Sequence, residues 1–327
     1  MGQPIGSVPW MGSKMETGVE VKDLTKYYTA PTLTKALDGV SFEVGQGEVF
    51  GLLGENGAGK TTLVKVLATL LLPDRGTASV AGHDVVKEPS QVRMSIGYAG
   101  QDSEKSAYWR LTARENLVYF SVALHGMKRE EAEARIEEFA DQLGFSKLDR
   151  EFSSLSGGEK QMVIIIRSLL HGPSVVFMDE PSKSLDPLAA RRMRDFVRKL
   201  ARDNGLTVML TTHNMQEAEE LCDRLAFLDS GKLIFVGSPA EFKRIEAYEV
   251  IEVDADLNDV ESVPGLVEVR RGASTKLLVT DASEALPALI GVLREKGIKT
   301  RLRVKGPSLE DAYLHFARQG DGPWAIS

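Results

Sequence analysis

Cysteine is almost absent from these 327 residues: Cys222 is the only one, so no disulfide can close within the chain and a reducing compartment is indicated. It sits in LCDRLAFL, an apolar setting that marks a buried packing residue rather than a reactive thiol. Also missing is any run of about 18 apolar residues, so no transmembrane helix is encoded. There is no basic excess. Forty Lys and Arg stand against 47 Asp and Glu, a formal net charge of −7, which argues against nucleic acid held by a generally basic surface. The opening MGQPIGSVPWMGSKMETG lacks the continuous apolar core of a secretory signal, and Gly6 breaks the myristoylation pattern. Residues 1–18 read as a disordered leader or a cloning remnant. No repeats or low-complexity tracts occur.

What is present is 43% hydrophobic content, enough for more than one core. From Val19 onward strand and helix signals alternate. EVKDLTKYY and VSFEV read as short strands, GEVFGLLG as a strand entering a glycine-rich loop, and KTTLVKVLATLL as the helix behind it. EEAEARIEEFADQLG is a charged amphipathic helix, while VVFMD and TVMLTTH are buried-type strands. Strands separated by helices predict a mainly parallel sheet covered on both faces. The character changes near Gly237–Pro239. Beyond it the order is strand, short helix (DLNDVESV), two strands, helix (ASEALPALIGVLREKG) and strand, the split βαβ pattern of ferredoxin-like domains. A last helix, SLEDAYLHFAR, has Ser308 as its candidate N-cap.

Two stretches carry recognisable chemistry. Gly54-x-x-x-x-Gly59-Lys60-Thr61, between a strand and a helix, is a Walker A P-loop. Its glycines let backbone N–H groups converge on phosphate oxygens, and the helix dipole adds to the attraction. Lys60 is placed for the β- and γ-phosphates and the Thr61 hydroxyl for Mg²⁺. The second stretch is VVFMDEP, a strand delivering Asp179 and Glu180 at its end. Asp179 suits the Walker B role of holding Mg²⁺ through water, and Glu180 suits a general base acting on a water.

A third stretch, Leu155-Ser156-Gly157-Gly158-Glu159, is similar to the LSGGQ signature of ABC ATPases, with glutamate at the fifth position. From about Val19 to Pro239 the chain resembles the nucleotide-binding domain of that family. The resemblance implies roles for further residues. Tyr28, with Tyr27 as the alternative, matches the aromatic that stacks on adenine. Gln101 matches the Q-loop glutamine that contacts Mg²⁺ and the water. Ser184-Leu185-Asp186 matches the D-loop, and His213 the switch histidine at the γ-phosphate. It also implies a nucleotide loop of Gly54, Glu55, Asn56, Gly57, Ala58, Gly59, Lys60, Thr61 and Thr62. The chain departs from the pattern at Gly100, where proline is common, at Ser184, where glycine is frequent, and in IIIRSLL after the signature.

The fold expected is therefore α/β: an ABC-type P-loop NTPase domain with a helical subdomain over residues 19–240, then a small α+β accessory domain over 241–327. In this family two such domains face head to tail, and Ser156, Gly157 and Gly158 of one cap the nucleotide bound to the P-loop of the other. One set of motifs implies a second copy or a paralogous ATPase as partner. It also implies an integral membrane permease subunit, no nucleic acid, ATP and Mg²⁺ as ligands, and a peripheral place on the cytoplasmic face of the cell membrane. DSEKSAYWRLTARENL after Gln101 either meets that permease through Tyr108 and Trp109 or packs locally. The appended domain, ending GPSLEDAYLHFA, resembles that of drug-resistance exporter ATPases. The rivals are a soluble ABC ATPase and a non-catalytic scaffold. Missing coiled-coil heptads and a second motif set weigh against the first, and intact Glu180 and His213 against the other.

Overall fold

The structure is a computed structural model that describes residues 17–29, 34–100, 102–245, 248–257, 260, 262–272, 274–306, 308–311 and 313. The chain divides into two compact units between Gly237 and Ser238.

The first unit begins with β1 (Thr17–Tyr28), β2 (Thr34–Gly45) and β3 (Val49–Leu53), followed by α1 (Lys60–Leu67). Next come β4 (Arg75–Val80), β5 (His83–Asp84), α2 (Pro89–Ser95) and β6 (Ile96–Ala99). A helical stretch holds α3 (Ala113–Tyr119), α4 (Arg129–Leu143) and α5 (Gly157–Leu169). Then follow β7 (Val175–Asp179), α6 (Pro187–Asn204), β8 (Thr207–Thr212), α7 (Met215–Leu221), β9 (Arg224–Asp229) and β10 (Lys232–Gly237).

Two sheets result. One is antiparallel, in the order β2-β1-β4-β5; the other runs β10-β9-β3-β8-β7-β6 and is parallel except at β10. Every residue of β3, β7 and β8 is buried, as expected of parallel strands covered on both faces. The sheets share one apolar core, in which Phe42 of β2 stacks on Phe50 of β3 with centroids 5.4 Å apart. Cys222 is buried beside Gly51, and burial pushes its thiol pKa up, which suits a packing residue.

Sequence reading and structure differ in places. α1 stops at Leu67, short of the apolar run to residue 71, because Thr69 takes left-handed backbone at φ 60°. The amides of Leu70 and Leu71 then both return to the Lys65 carbonyl. β1 and β2 are each 12 residues long, well beyond the short strands expected, and β4 and β6 were not foreseen.

The second unit comprises α8 (Pro239–Ile245), β11 (Glu249–Val253), β12 (Leu266–Arg271), β13 (Thr275–Val279), α9 (Ala282–Glu295) and β14 (Leu302–Lys305). Its strands are ordered β12-β13-β11-β14, with every neighbouring pair antiparallel. Ile251, Val253, Leu277 and Val279 pack with Ala285, Leu289 and Leu293 of α9 in one core. The short helix expected over 256–263 includes residues 258, 259 and 261, outside the described set. The last helix lies largely outside it too. Its start is visible: the Ser308 hydroxyl accepts from the Asp311 amide at 3.1 Å, and the Asp311 carboxylate is held by Arg270 and Lys276.

Candidate nucleotide site

β3 delivers the chain into the glycine loop at the centre of the parallel sheet. Gly54 and Gly59 have φ of 150° and 110°, and a Cβ would lie 2.1 Å from the Leu228 carbonyl at the first and 2.2 Å from the Ala36 carbonyl at the second. Only glycine fits either place. Lys60, the first residue of α1, is 7% exposed, and its ammonium donates to the carbonyls of Gly54 at 2.6 Å and Glu55 at 2.9 Å. Burial pulls its pKa down, while Glu180, Asp179 and Glu55 hold the charge in place.

Two strands away, β7 ends at Asp179. The Thr61 hydroxyl donates to Asp179 Oδ2 at 3.1 Å, and the Thr211 hydroxyl on β8 donates to Oδ1. Glu180 then turns out of the sheet with φ 53°, a strained value for a non-glycine residue, and its amide is secured by the Thr211 carbonyl at 3.0 Å. That turn aims its carboxylate at two side chains: His213 Nδ1 lies 2.8 Å from Oε1 and Lys183 Nζ 3.0 Å from Oε2. Burial raises the Glu180 pKa, but the hydrogen bonds from Lys183 and His213 outweigh it and leave the net shift downward. Glu180 is thus an ionised, oriented carboxylate at neutral pH.

A cleft of about 270 Å³ joins these groups, lined by Tyr28, Asn56, Gly57, Gly59, Lys60, Thr61, Thr62, Asp179 and Glu180 together with Thr34 and Ala36. Tyr28 rather than Tyr27 reaches it, 41% exposed, with its hydroxyl 3.5 Å from Thr62 Oγ1. Gln101 lies outside the described residues. Lys183 and Thr211 were missed by the sequence reading, although Lys183 stands three residues after Glu180.

Ser156, Gly157, Gly158 and Asp186 do not line that cleft. Ser156 is the N-cap of α5 in a capping box: its hydroxyl accepts from the Glu159 amide at 3.4 Å, and Glu159 Oε2 accepts from the Ser156 amide at 2.9 Å. The fifth signature position thereby has a structural role as the returning half of the capping box. Gly157 lies beside Ser184, and a Cβ on Gly158 would lie 2.5 Å from the Ser184 carbonyl, so signature and D-loop touch within one chain. Asp186 caps α6 through the amides of Leu188 and Ala189, both at 3.0 Å. Ser156, Gly158 and Asp186 border a separate cavity of about 410 Å³.

Of the exposed aromatics, Trp109 packs edge-on to Phe152 with Lys160 4.3 Å above its ring, yet remains 46% exposed. Tyr108 meets Tyr119 edge-on at 4.9 Å.

A phosphate-cradling loop on a parallel sheet, with an Asp-Glu pair emerging two strands away, defines a P-loop ATPase, and the glycine-led α5 beside the D-loop narrows the class to ATP-binding cassettes. Comparison with known proteins agrees. The ABC transporter family model matches residues 37–183. The daunorubicin resistance ATP-binding protein DrrA3 of Streptomyces coeruleorubidus is 38% identical over 291 residues, 86% of this chain and 91% of that one. The ABC transporter ATP-binding protein NatA of Bacillus subtilis is also 38% identical, over 69% of this chain and 89% of its own. Among solved structures, a dimeric ATP-binding cassette in a post-hydrolysis state with ADP and phosphate aligns at TM-score 0.62 and 25% identity, covering 67% of this chain and 98% of its own. The ATP-binding subunit of another ABC transporter aligns at TM-score 0.63 and 30% identity, over 70% of this chain and 93% of that one. The chain belongs to the ABC transporter ATP-binding proteins: it is an ATP-binding, ATP-hydrolysing transporter subunit. Such cassettes dimerise and work with a membrane subunit, and among the described residues no helix is long and apolar enough to cross a membrane.

Proposed function

We propose that this chain drives a drug-resistance-type exporter as one half of an ATP sandwich. The observation behind the exporter reading is the reach of the similarity to DrrA3: a match over 86% of the chain is longer than the whole first unit, so it extends into the second. On this reading residues 19–240 are the catalytic domain and 241–327 an accessory domain of the exporter type.

In the proposed mechanism, loop residues 54–62 cradle the phosphates, with the Lys60 ammonium released from the Gly54 and Glu55 carbonyls toward the β- and γ-phosphates. Tyr28 stacks on the base. The hydroxyl of Thr61 and the carboxylate of Asp179, 3.1 Å apart, form a hard oxygen donor set that fits Mg²⁺, with Gln101 as the expected third member. When bound, that ion neutralises phosphate charge. Glu180 orients the attacking water and takes its proton, while His213 and Lys183 fix the two carboxylate oxygens. Ser156, Gly157 and Gly158 close the equivalent cleft of a second copy or a paralogue. Their absence from the lining of the chain's own cleft supports that division of labour. The permease partner puts the chain on the cytoplasmic face of the membrane, and the exposed sides of Tyr108 and Trp109 are offered to it.

The test of the sandwich is light scattering on the Glu180→Gln chain, in which slowed hydrolysis lets the ATP-bound form accumulate. A dimer appearing only with ATP and Mg²⁺ is expected. A strict monomer at saturating ATP rules out the homodimer and leaves the paralogue. The membrane protein that co-purifies in detergent tests the exporter reading: a permease of import type, or none, refutes it.

A further inference from the structure

Lys147 lies in the loop after α4, which ends in Gly144 with left-handed backbone at φ 68°. Its ammonium is 2.5 Å from Glu159 Oε1, while the other oxygen of that carboxylate accepts from the Ser156 amide. Both oxygens of Glu159 are therefore engaged, one from each side of the signature turn. The two residues line the 410 Å³ cavity with Ser156, Ser184 and Asp186.

The electrostatics of this corner pose a problem that Lys147 answers. In the sandwich, the first turn of α5 must receive the terminal phosphate of the opposing nucleotide. The same first turn already carries the carboxylate of Glu159, which suits the helix dipole but repels a second anion. A glutamine would fill the capping box without charge. With glutamate in that place, a cation is required beside it, and the 2.5 Å contact supplies one. The carboxyl of Glu159 is held below the usual range, first by Lys147 and then by the Ser156 amide, so it is charged at neutral pH.

We propose, resting on the sandwich reading above, that Lys147 is a positioning residue of the trans half-site: it neutralises Glu159 and fixes the capping box that presents the Ser156 hydroxyl to the opposing nucleotide. In the free subunit the lysine side chain is 51% exposed and that of the glutamate 26%, and ion pairs open to water in this way contribute little to folding. When the sandwich excludes water, the unpaired carboxylate becomes costly beside phosphate. Lys147 therefore acts on dimerisation rather than on stability.

Five full-length chains test this, all in the Glu180→Gln background: the parent, Lys147→Met, Lys147→Arg, Glu159→Gln and the double Lys147→Met, Glu159→Gln variant. ATP is titrated with Mg²⁺, dimer is read by light scattering, and the thermal midpoint is measured without ATP. Lys147→Met should raise the ATP concentration at half-dimerisation by about tenfold, the scale of one hydrogen bond to a charged group. Glu159→Gln should stay near the parent, and adding it to Lys147→Met should restore the parent value, because a neutral cap needs no cation. Lys147→Arg should behave as the parent. All thermal midpoints should coincide. The proposal is overturned if Lys147→Met dimerises like the parent. It is overturned equally if the double variant stays as weak as Lys147→Met, since the lysine would then touch the nucleotide or the partner directly. A parent that never dimerises with ATP refutes the homodimer instead and takes this proposal with it.

Discussion

Replacing each signature glycine by alanine separates what the subunit needs from what the sandwich needs. Gly157 and Gly158 are the first two residues of α5, so alanine brings both positions a similar gain in helix propensity, and the gain cancels between them. The neighbours do not cancel. A Cβ at 157 would sit 3.7 Å from Ser184 Cβ, an ordinary contact, whereas at 158 it would sit 2.5 Å from the Ser184 carbonyl oxygen. Ser184 has little room to yield, being in left-handed backbone at φ 69°. Overpacking of this kind costs roughly 1–3 kcal/mol. Gly158→Ala should therefore unfold below Gly157→Ala by about 2 kcal/mol, or roughly 4–8 °C for a domain of this size. Differential scanning calorimetry without ATP measures the difference. ATP binding, followed by a fluorescent nucleotide, should survive in both because neither glycine lines the Walker cleft, while ATP-dependent dimerisation should fail in both. Equal midpoints, or a lower one for Gly157→Ala, would refute the claim that the D-loop rests on Gly158.

Further expectations concern the cleft. Glu180→Gln should slow ATP hydrolysis by about 10²–10⁴, the usual contribution of a general base, and a smaller loss in steady-state assays would place the base elsewhere. Because the Glu180 carboxyl is held below its ordinary value, the favourable contribution of its charge is present above the ordinary carboxylate pKa and is lost as pH falls through the lowered one. The acid limb of the pH–rate profile should accordingly lie below the ordinary carboxylate range. Lys183→Met should move that limb to higher pH, and an unmoved limb would mean the ion pair leaves the base untouched. Tyr28→Ala should raise the KM for ATP by roughly 5- to 150-fold, using about 1–3 kcal/mol for one base stacked on an aromatic ring. Tyr27→Ala should leave the KM near the parent value; the reverse result would reassign the stacking residue.

The parts of the site legible in the sequence are those whose chemistry is local. Gly54, Gly59, Lys60 and Thr61 are adjacent along the chain, and a strand, a tight turn and a helix start follow from residue types at fixed offsets. Asp179 and Glu180 stand at the end of an apolar run, so their emergence from a buried strand could be read directly. What sequence did not disclose comes from contacts between distant segments. Thr211 supports Asp179 across 32 residues, and no periodicity announces which threonine of β8 faces β7. Lys147 reaches Glu159 because a left-handed Gly144 turns the loop back toward α5. The positive φ of Glu180 is invisible too, since only glycine advertises that conformation by residue type.

The same contrast explains why one chain carries two helix starts suited to phosphate. At α1 the helix end is lined by Lys60 and shares its cleft with Asp179 and Glu180, so on the proposed mechanism it combines anion binding with the groups for hydrolysis. At α5 the end is capped by its own serine and already balanced by Glu159 and Lys147, with Ser184 against Gly158. Asp179 and Glu180 line the other cleft, so a phosphate held at α5 alone would lie apart from them. In the proposed sandwich a second cassette brings its loaded cleft to α5, and cradle, base and cap are then assembled around one nucleotide. Hydrolysis is thereby tied to closure, and closure is a movement that a membrane subunit can be made to follow.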